Sequence, residues 1–481
     1  MFKKKWMPLL LSIPLLLTGC KGKTSDSVTI FIYGQAHERS IYSKIIEKFT
    51  EETGIKVNAE LVNTDGYAET LTASLGTKNA PDVFYSNPAS IGRYAMNGVI
   101  LDLKPYLEIE AEVEDGLDYK NFLDGVVDYY RYDVTTKKRG EGEAVWAIPK
   151  DVSSYPLGYN RNIINLSVEL GHWATHTKKG AWASREGGMP LPWENDPRTD
   201  KQIVYTFEEF TNACRATKFI HNEIEYFGTA LIDTWAMHSW IWAAGGNWLS
   251  DDGKTVTVNT PEFIAGFTEF IDLMDNRGIS QTREQMGVKP HYDRWMAGEV
   301  AFFNVGVWDV AAFESVPKEL LDYGLMPTPR KDNASPEWYT YIGTLGYAVS
   351  SRTRVAQEAV KLALYMSMST ESYNRMTKYQ TIQLPNNKLM VDEYLSDETI
   401  KPENKGIFLD VIQKGHGKLH PTAMAYNSLW YDAFIAELSR VWKVTDDDPS
   451  GEMSPAQYAA YVQPIMQAQL NIALADEAAG V

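Results

Sequence analysis

The start of the folded chain alternates between two hydrophobic periods, and this restricts the folds open to it. Residues 28–33 form an apolar, β-branched run that predicts a buried strand. Ile41, Tyr42, Ile45, Ile46 and Phe49 then recur at helical spacing. Residues 55–62 alternate like a strand, and a helix-like stretch leads to the apolar segment 81–85. Strands alternating with helices predict an α/β sheet with parallel pairs. Ligands of such sheets bind beyond the carboxyl ends of the strands, where Gln35, Ser86 and Asn87 stand.

The leader sets the compartment. Lys3, Lys4 and Lys5 precede an apolar run, residues 7–17, followed by Thr18-Gly19-Cys20. The run is about half the ~20 residues of a membrane-spanning helix, so it reads as a signal-peptide core. A cysteine after two small residues resembles a lipobox, which predicts a signal peptide over 1–19, lipidation of Cys20 and a tether over 20–27. The folded part is then expected on the outer face of the cell membrane, in a bacterium without an outer membrane.

Losing three lysines with the leader takes the net charge from −17 to −20. Such an acidic chain is a poor partner for nucleic acid, whose binding rests on cationic neutralisation of phosphates. It is equally poor at holding anionic lipid unaided, which favours a covalent anchor. Only Cys20 and Cys214 occur, so no internal disulfide is expected, and a chain of this length buries enough core to do without one. Cys214 shares a helix face with Phe207, Phe210 and Thr217 and is expected to be buried and inert.

Further along, Thr206 with Glu208 and Glu209 predicts a capped helix start. Residues 166–203 are irregular and read as a long surface insertion. The chain carries 14 tryptophans and 27 tyrosines, several beside glycines and amides in loop-like sequence.

The ordered succession of FTEETGIKV (49–57), PDVFYSNPASIGRYAMNGVILDL (81–103), AIPKDVSSYPLGYNRNII (147–164), TFEEF (206–210), GGNWLSDDGKTVTVNTPE (245–262), WMAGEVAFFNVGVW (295–308), DYGLMPTPR (322–330) and YIGTLGYAVSS (341–351) resembles the extracellular solute-binding proteins of ABC importers. The resemblance is to the large family 1 that contains maltose-binding protein, and it runs over nearly all of the chain after the leader. It implies a two-lobed, type II periplasmic-binding-protein-like fold, each lobe a mixed sheet flanked by helices, with ligand held between them. Carried over, the crossings fall near 149–153, 343–346 and 395–403. Lobe one is then 25–149 plus 345–398, and lobe two is 152–342 plus 402–481. Pro149, Gly343 and Gly346 are the implied hinge positions.

A sugar presents apolar C–H faces and rings of hydroxyls, so its site needs flat aromatics and planar polar groups. Trp235, Trp308 and Trp430 match the stacking positions of the family, each with lobe-two core as its alternative. Gln35, Ser86, Asn87, Asp151 and Asp309 are the polar candidates, although an Asn or Asp after a strand often only caps a turn or helix. Trp240, Trp242 and Trp248 are expected to pack inside the lobe, while Trp173, Trp182 and Trp193 of the insertion are candidates to floor an extended groove. The chain departs from maltose-binding protein in two places. Ser86 stands where that protein has a tryptophan, and Ser153 where it has a glutamate.

The implied function is capture of a carbohydrate, with an oligosaccharide favoured, by lobe closure and delivery to ABC permease subunits in the membrane, as a monomer and without a cofactor. The rivals are an extracellular glycan-active enzyme, which needs two placed carboxylates, and a lipid-anchored adhesin or sensor. No HExxH, paired metal spacing, G-x-S-x-G elbow or P-loop occurs. The segment 251–254 reads as a hairpin turn and not a calcium loop. Arg93, Arg294 and Arg375 are the cations to place should the glycan be anionic.

Overall fold

The computed structural model describes residues 27–113, 116–230, 234–442 and 453–479. The signal sequence, Cys20 and residues 21–26 of the tether lie outside the described residues.

Two five-stranded sheets organise the chain. The first runs Lys56–Val62, Ser27–Tyr33, Val83–Ser86, Gly346–Val349, Ile148–Pro149, with the first three strands parallel and the last two antiparallel to their neighbours. The second runs Phe219–His221, Ile224–Thr229, Val300–Asn304, Leu157–Asn160, Tyr323–Met326, and only its Ile224–Thr229/Val300–Asn304 pair is parallel. The opening strand–helix alternation is therefore borne out, and the sheets it begins are mixed, as the family resemblance implied.

Each sheet has its own core. The helix Ala36–Thr53 buries Tyr42, Ile45, Ile46 and Phe49 on the first, the face that the 3.6 spacing marked. The helix Phe207–Ala216 packs on the second, begun by a capping box in which the Glu209 amide donates to Thr206 Oγ1 at 3.2 Å. Cys214 is wholly buried there, and burial pushes its thiol well above the usual range, so it is inert.

Between the sheets the chain passes twice within a few residues. Ile148–Pro149 ends in the first sheet and Ser153–Ser154 begins a small three-stranded sheet; the chain returns from Thr340–Gly343 to Gly346–Val349. The small sheet is completed by Gly417–Leu419. The resemblance put crossings near 149–153 and 343–346; the chain passes between the sheets at residues 150–152 and 344–345. Ile382 is the last buried residue of the first core, and Leu384, Tyr394 and Ile400 pack in a third cluster with Val152 and Ile342.

Gly343 and Gly346 have negative φ, so neither is there for left-handed backbone. Gly346 is required for packing, since a Cβ would lie 2.6 Å from the Tyr130 ring.

The insertion is not a surface appendage. Trp173 and Trp182 are 1% and 4% exposed in the second core, and the Trp182 indole donates to Glu209 Oε1 at 2.6 Å. Trp193 packs against the same core and tilts over Tyr159. The three tryptophans therefore close the side of lobe two and do not floor a groove; spacing alone did not show where the irregular chain folds back.

Candidate functional site

Two adjoining cavities open between the lobes. The inner one, about 240 Å³, has Tyr33, Gly34, Glu38 and Tyr85 on the lobe-one side and Ser153 and Trp308 on the other, with Lys150 and Asp151 at the crossing. The outer one, about 250 Å³, lies between Asn87–Ala89 and a lobe-two wall of Trp235, Tyr341, His420 and Thr422. Each falls below the ~300–1,000 Å³ usual for small-molecule sites.

An aromatic wall joins them. Trp308 stacks on Tyr155 with centroids 5.7 Å apart, and meets Trp235 edge-on at 6.1 Å. Trp235 in turn stacks on Tyr341 at 5.0 Å, and Tyr341 meets His420 edge-on at 6.0 Å. Trp235 and Trp308 are each 38% exposed, unusual for residues most of whose kind in this chain are buried. Trp308 sits where it does because residue 306 is glycine: a Cβ there would lie 2.3 Å from the indole.

Polar groups at the inner cavity are arranged around one ion pair. Lys150 Nζ contacts Asp151 Oδ2 at 2.6 Å and lies over the rings of Tyr42 and Tyr85. Although burial opposes the charge, the Asp151 carboxylate holds the ammonium well above the usual lysine range. Asp151 Oδ1 accepts the Leu345 amide at 3.0 Å, tying one crossing to the other. Burial pushes the Tyr33 phenol up to about 12, so it stands as a neutral hydroxyl. Ser153 Oγ is buried with no hydrogen-bond partner among the described residues. At the outer cavity burial lowers His420 to about 4, which leaves a neutral ring whose Nδ1 meets Thr422 Oγ1 at 2.9 Å.

The candidate residues divide. Asp151, Trp308, Asn87 and Trp235 are brought to the two cavities. Asn87 also caps its helix, Oδ1 accepting from the Ser90 amide at 3.0 Å. Gln35 lies beside Gly34 but lines neither cavity, and its amide donates to Glu38 Oε2 at 2.7 Å to start the first helix. Ser86 is buried in its strand, and Asp309 Oδ2 accepts the Gly306 amide at 3.2 Å, bracing the turn that presents Trp308.

Trp430 requires correction: it is wholly buried in the second core, so its ring faces are not open to a ligand. Its alternative as a core residue is the one realised, because the helix Leu429–Ala436 turns Trp430, Tyr431 and Phe434 inward. Trp240, Trp242 and Trp248 are core residues as expected. Arg294 pairs with Glu299, Arg375 with Glu371, and Arg93 lies over Tyr94; none lines either cavity.

Sequence reasoning missed Tyr33, Lys150, Tyr341 and His420 at the cavities, and Tyr155 packed behind Trp308. The aromatic excess was the available signal, but Tyr155, Tyr341 and His420 come from three separate segments that only the small sheet unites.

A larger depression of about 930 Å³ lies on lobe one alone, at the amino ends of Ser27–Tyr33 and Val83–Ser86. It offers one aromatic, Phe31, and no contact with lobe two, so it lacks what the cleft provides.

No group of three or more potential metal ligands occurs among the described residues. No helix among them is long and apolar enough to cross a membrane.

Comparison with known proteins agrees with this architecture. The chain superposes on an ABC substrate-binding protein from Listeria monocytogenes in complex with cycloalternan, with a TM-score of 0.70 at 17% identity, covering 92% of this chain and 99% of that one. UgpB from Mycobacterium tuberculosis, in complex with glycerophosphocholine, gives 0.68 at 17% identity, covering 93% and 100%. These likenesses establish the two-lobed, type II fold. An erythritol/L-threitol-binding protein from Mycolicibacterium smegmatis is 29% identical over 145 residues, which span 30% of each chain. The model for bacterial extracellular solute-binding proteins matches residues 34–367, and the chain belongs to that family.

Proposed function

We propose that this protein captures a neutral, polyhydroxylated ligand, a sugar of more than one ring, by closing its lobes, and hands it to an ABC permease. The observation that carries the reading is the aromatic wall of Trp308 at the inner cavity and Trp235 and Tyr341 at the outer one, with the buried Tyr155 stacked behind Trp308. Such a wall suits successive apolar sugar faces, and its length favours an oligosaccharide. Lys150 is neutralised by Asp151, and Glu38 is the remaining charge at the inner cavity, which disfavours an anionic ligand. Of the named ligands of similar proteins, cycloalternan and erythritol or threitol are likewise neutral and rich in hydroxyls, whereas glycerophosphocholine is a zwitterion.

A binding role is favoured over hydrolysis because both inner carboxylates are engaged. Asp151 holds Lys150 and Leu345, and Glu38 Oε2 accepts the Gln35 amide. Gly343, Gly346 and Pro149 are the hinge positions this reading proposes. Lipidation of Cys20 would keep the protein, as a monomer, on the outer surface of the cell beside its permease. An adhesin or sensor on this fold would bind the same ligand without a permease depending on it.

The test is a thermal-shift screen over neutral linear, cyclic and branched glycans and polyols. A true ligand at about a hundredfold above its Kd adds about 2.7 kcal/mol of stability and is recovered unchanged. A shortened glycan would replace this reading with an enzyme. Fatty-acid labelling of wild type but not of Cys20→Ser tests the anchor.

A further inference from the structure

One guanidinium ties the two walls of the outer cavity together from behind. Arg139 belongs to the short hairpin Tyr132–Asp133/Lys138–Arg139, whose Tyr132 is part of the lobe-one core. Its Nη2 donates to the Ala425 carbonyl at 2.8 Å, and its Nη1 to the Pro88 carbonyl at 3.4 Å. Pro88 is on the lobe-one wall of the cavity, and Ala425 follows the Thr422–Ala423 segment of the opposite wall and packs in the lobe-two core.

The hairpin is anchored to lobe two a second time. Tyr132 Oη donates to Glu477 Oε1 at 2.7 Å, and Lys137 Nζ to the Glu477 carbonyl at 2.6 Å, both on the last turns of the helix Pro455–Ala479. The Arg139 guanidinium lies over the Tyr132 ring, 5.5 Å from its centroid. Residue 92 is glycine at the same place, since a Cβ there would lie 2.9 Å from the Tyr132 ring. Any rotation that parts Pro88 from Ala425 has to break one of the two Arg139 bonds.

We infer that Arg139, backed by the Tyr132–Glu477 pair, is a positioning residue that pins the lobes together and sets how much of the ligand-free protein is closed. The inference rests on the closure reading above. Hydrogen bonds from a charged donor are the stronger kind, and an interface made of a few of them shifts a two-state equilibrium readily.

The test measures inter-lobe distance without ligand, by pulsed electron resonance on Thr72→Cys/Glu208→Cys in a Cys20→Ser background, both chosen positions being exposed and Cys214 buried. In Arg139→Ala the closed-to-open ratio is expected to fall about tenfold, with Arg139→Lys recovering part of it. Tyr132→Phe and Glu477→Gln are expected to lower the ratio less, and they carry the test if Arg139→Ala does not fold. A wild-type distance distribution in these variants would overturn the pin, even if their melting temperatures fell. If wild type is open without ligand the pin is equally overturned. Failure of capture by closure would show differently: Arg139→Ala would still widen the distribution, but no glycan of the panel would narrow it again in that variant.

Discussion

Asp151 Oδ2 lies 2.6 Å from Lys150 Nζ while its Oδ1 holds the Leu345 amide, so one carboxylate both neutralises the cleft's cation and fastens the two passages between the lobes. Removing its charge leaves a buried ammonium without its ion-pair partner. Asp151→Asn should therefore cost about 3 kcal/mol of unfolding free energy, measured by urea denaturation at neutral pH.

The same pair sets a limit at alkaline pH. A lysine held above its usual range keeps its proton in the folded state after the unfolded chain has lost it, so folding is favoured below about pH 10 and progressively less above it. Tyr33, raised to about 12, acts with the same sign. Stability should fall as pH climbs above about 10, and the fall should be shallower in Asp151→Asn, where the lysine has lost the group that raised it. An equal slope in both proteins would show that Lys150 is not the group responsible.

At acid pH the sign reverses and another residue is in control. His420 is lowered to about 4 by burial against His238, Tyr341 and Tyr431, so the unfolded chain takes up a proton from about pH 6.5 that the folded chain refuses. His238, wholly buried, is shifted the same way. Stability should fall as pH drops from about 6.5 towards 4, and His420→Gln should flatten that decline in thermal melts taken across the range.

What was legible in the sequence, and what was not, follows from the range of the interactions. The helix face of Tyr42, Ile45, Ile46 and Phe49 and the Thr206 cap depend on neighbours three or four residues apart, and both were readable. Trp308 was readable because Gly306 and the preceding strand present it. Trp430 was not, since the same apolar helix pattern serves a cleft or a core, and only the contacts with Tyr431 and the rest of the second core decide which. Nothing in the sequence singled out Lys150; its ring contacts with Tyr42 and Tyr85 come from residues more than sixty positions away. The insertion misled because an irregular chain has no period to show which of its tryptophans turn inward.

Trp308 and Trp430 should consequently separate binding from folding. Trp308→Ala removes a half-exposed ring of the aromatic wall and should lose most of the affinity for a ligand found in the glycan screen, with little change in melting temperature. Trp430→Ala empties a fully buried site and should cost about 3–5 kcal/mol of stability, while the folded fraction keeps its affinity by calorimetry. The opposite pattern would place the ligand on the wrong side of lobe two.

Ser153 offers the sharpest trade between the two properties. Its hydroxyl is buried at the inner cavity without a hydrogen-bond partner among the described residues, a condition that costs about 1–3 kcal/mol in the empty protein. A ligand hydroxyl arriving there would satisfy it, converting that cost into affinity. Ser153→Ala should then raise the stability of the ligand-free protein, by about 1 kcal/mol in denaturant titration, and at the same time weaken binding of the screened glycan several-fold. A purely structural serine would move stability alone, and one already paired with solvent would move neither. Only a hydroxyl held in reserve for ligand moves the two in opposite directions, because the deleted group is unfavourable in one state and bonded in the other.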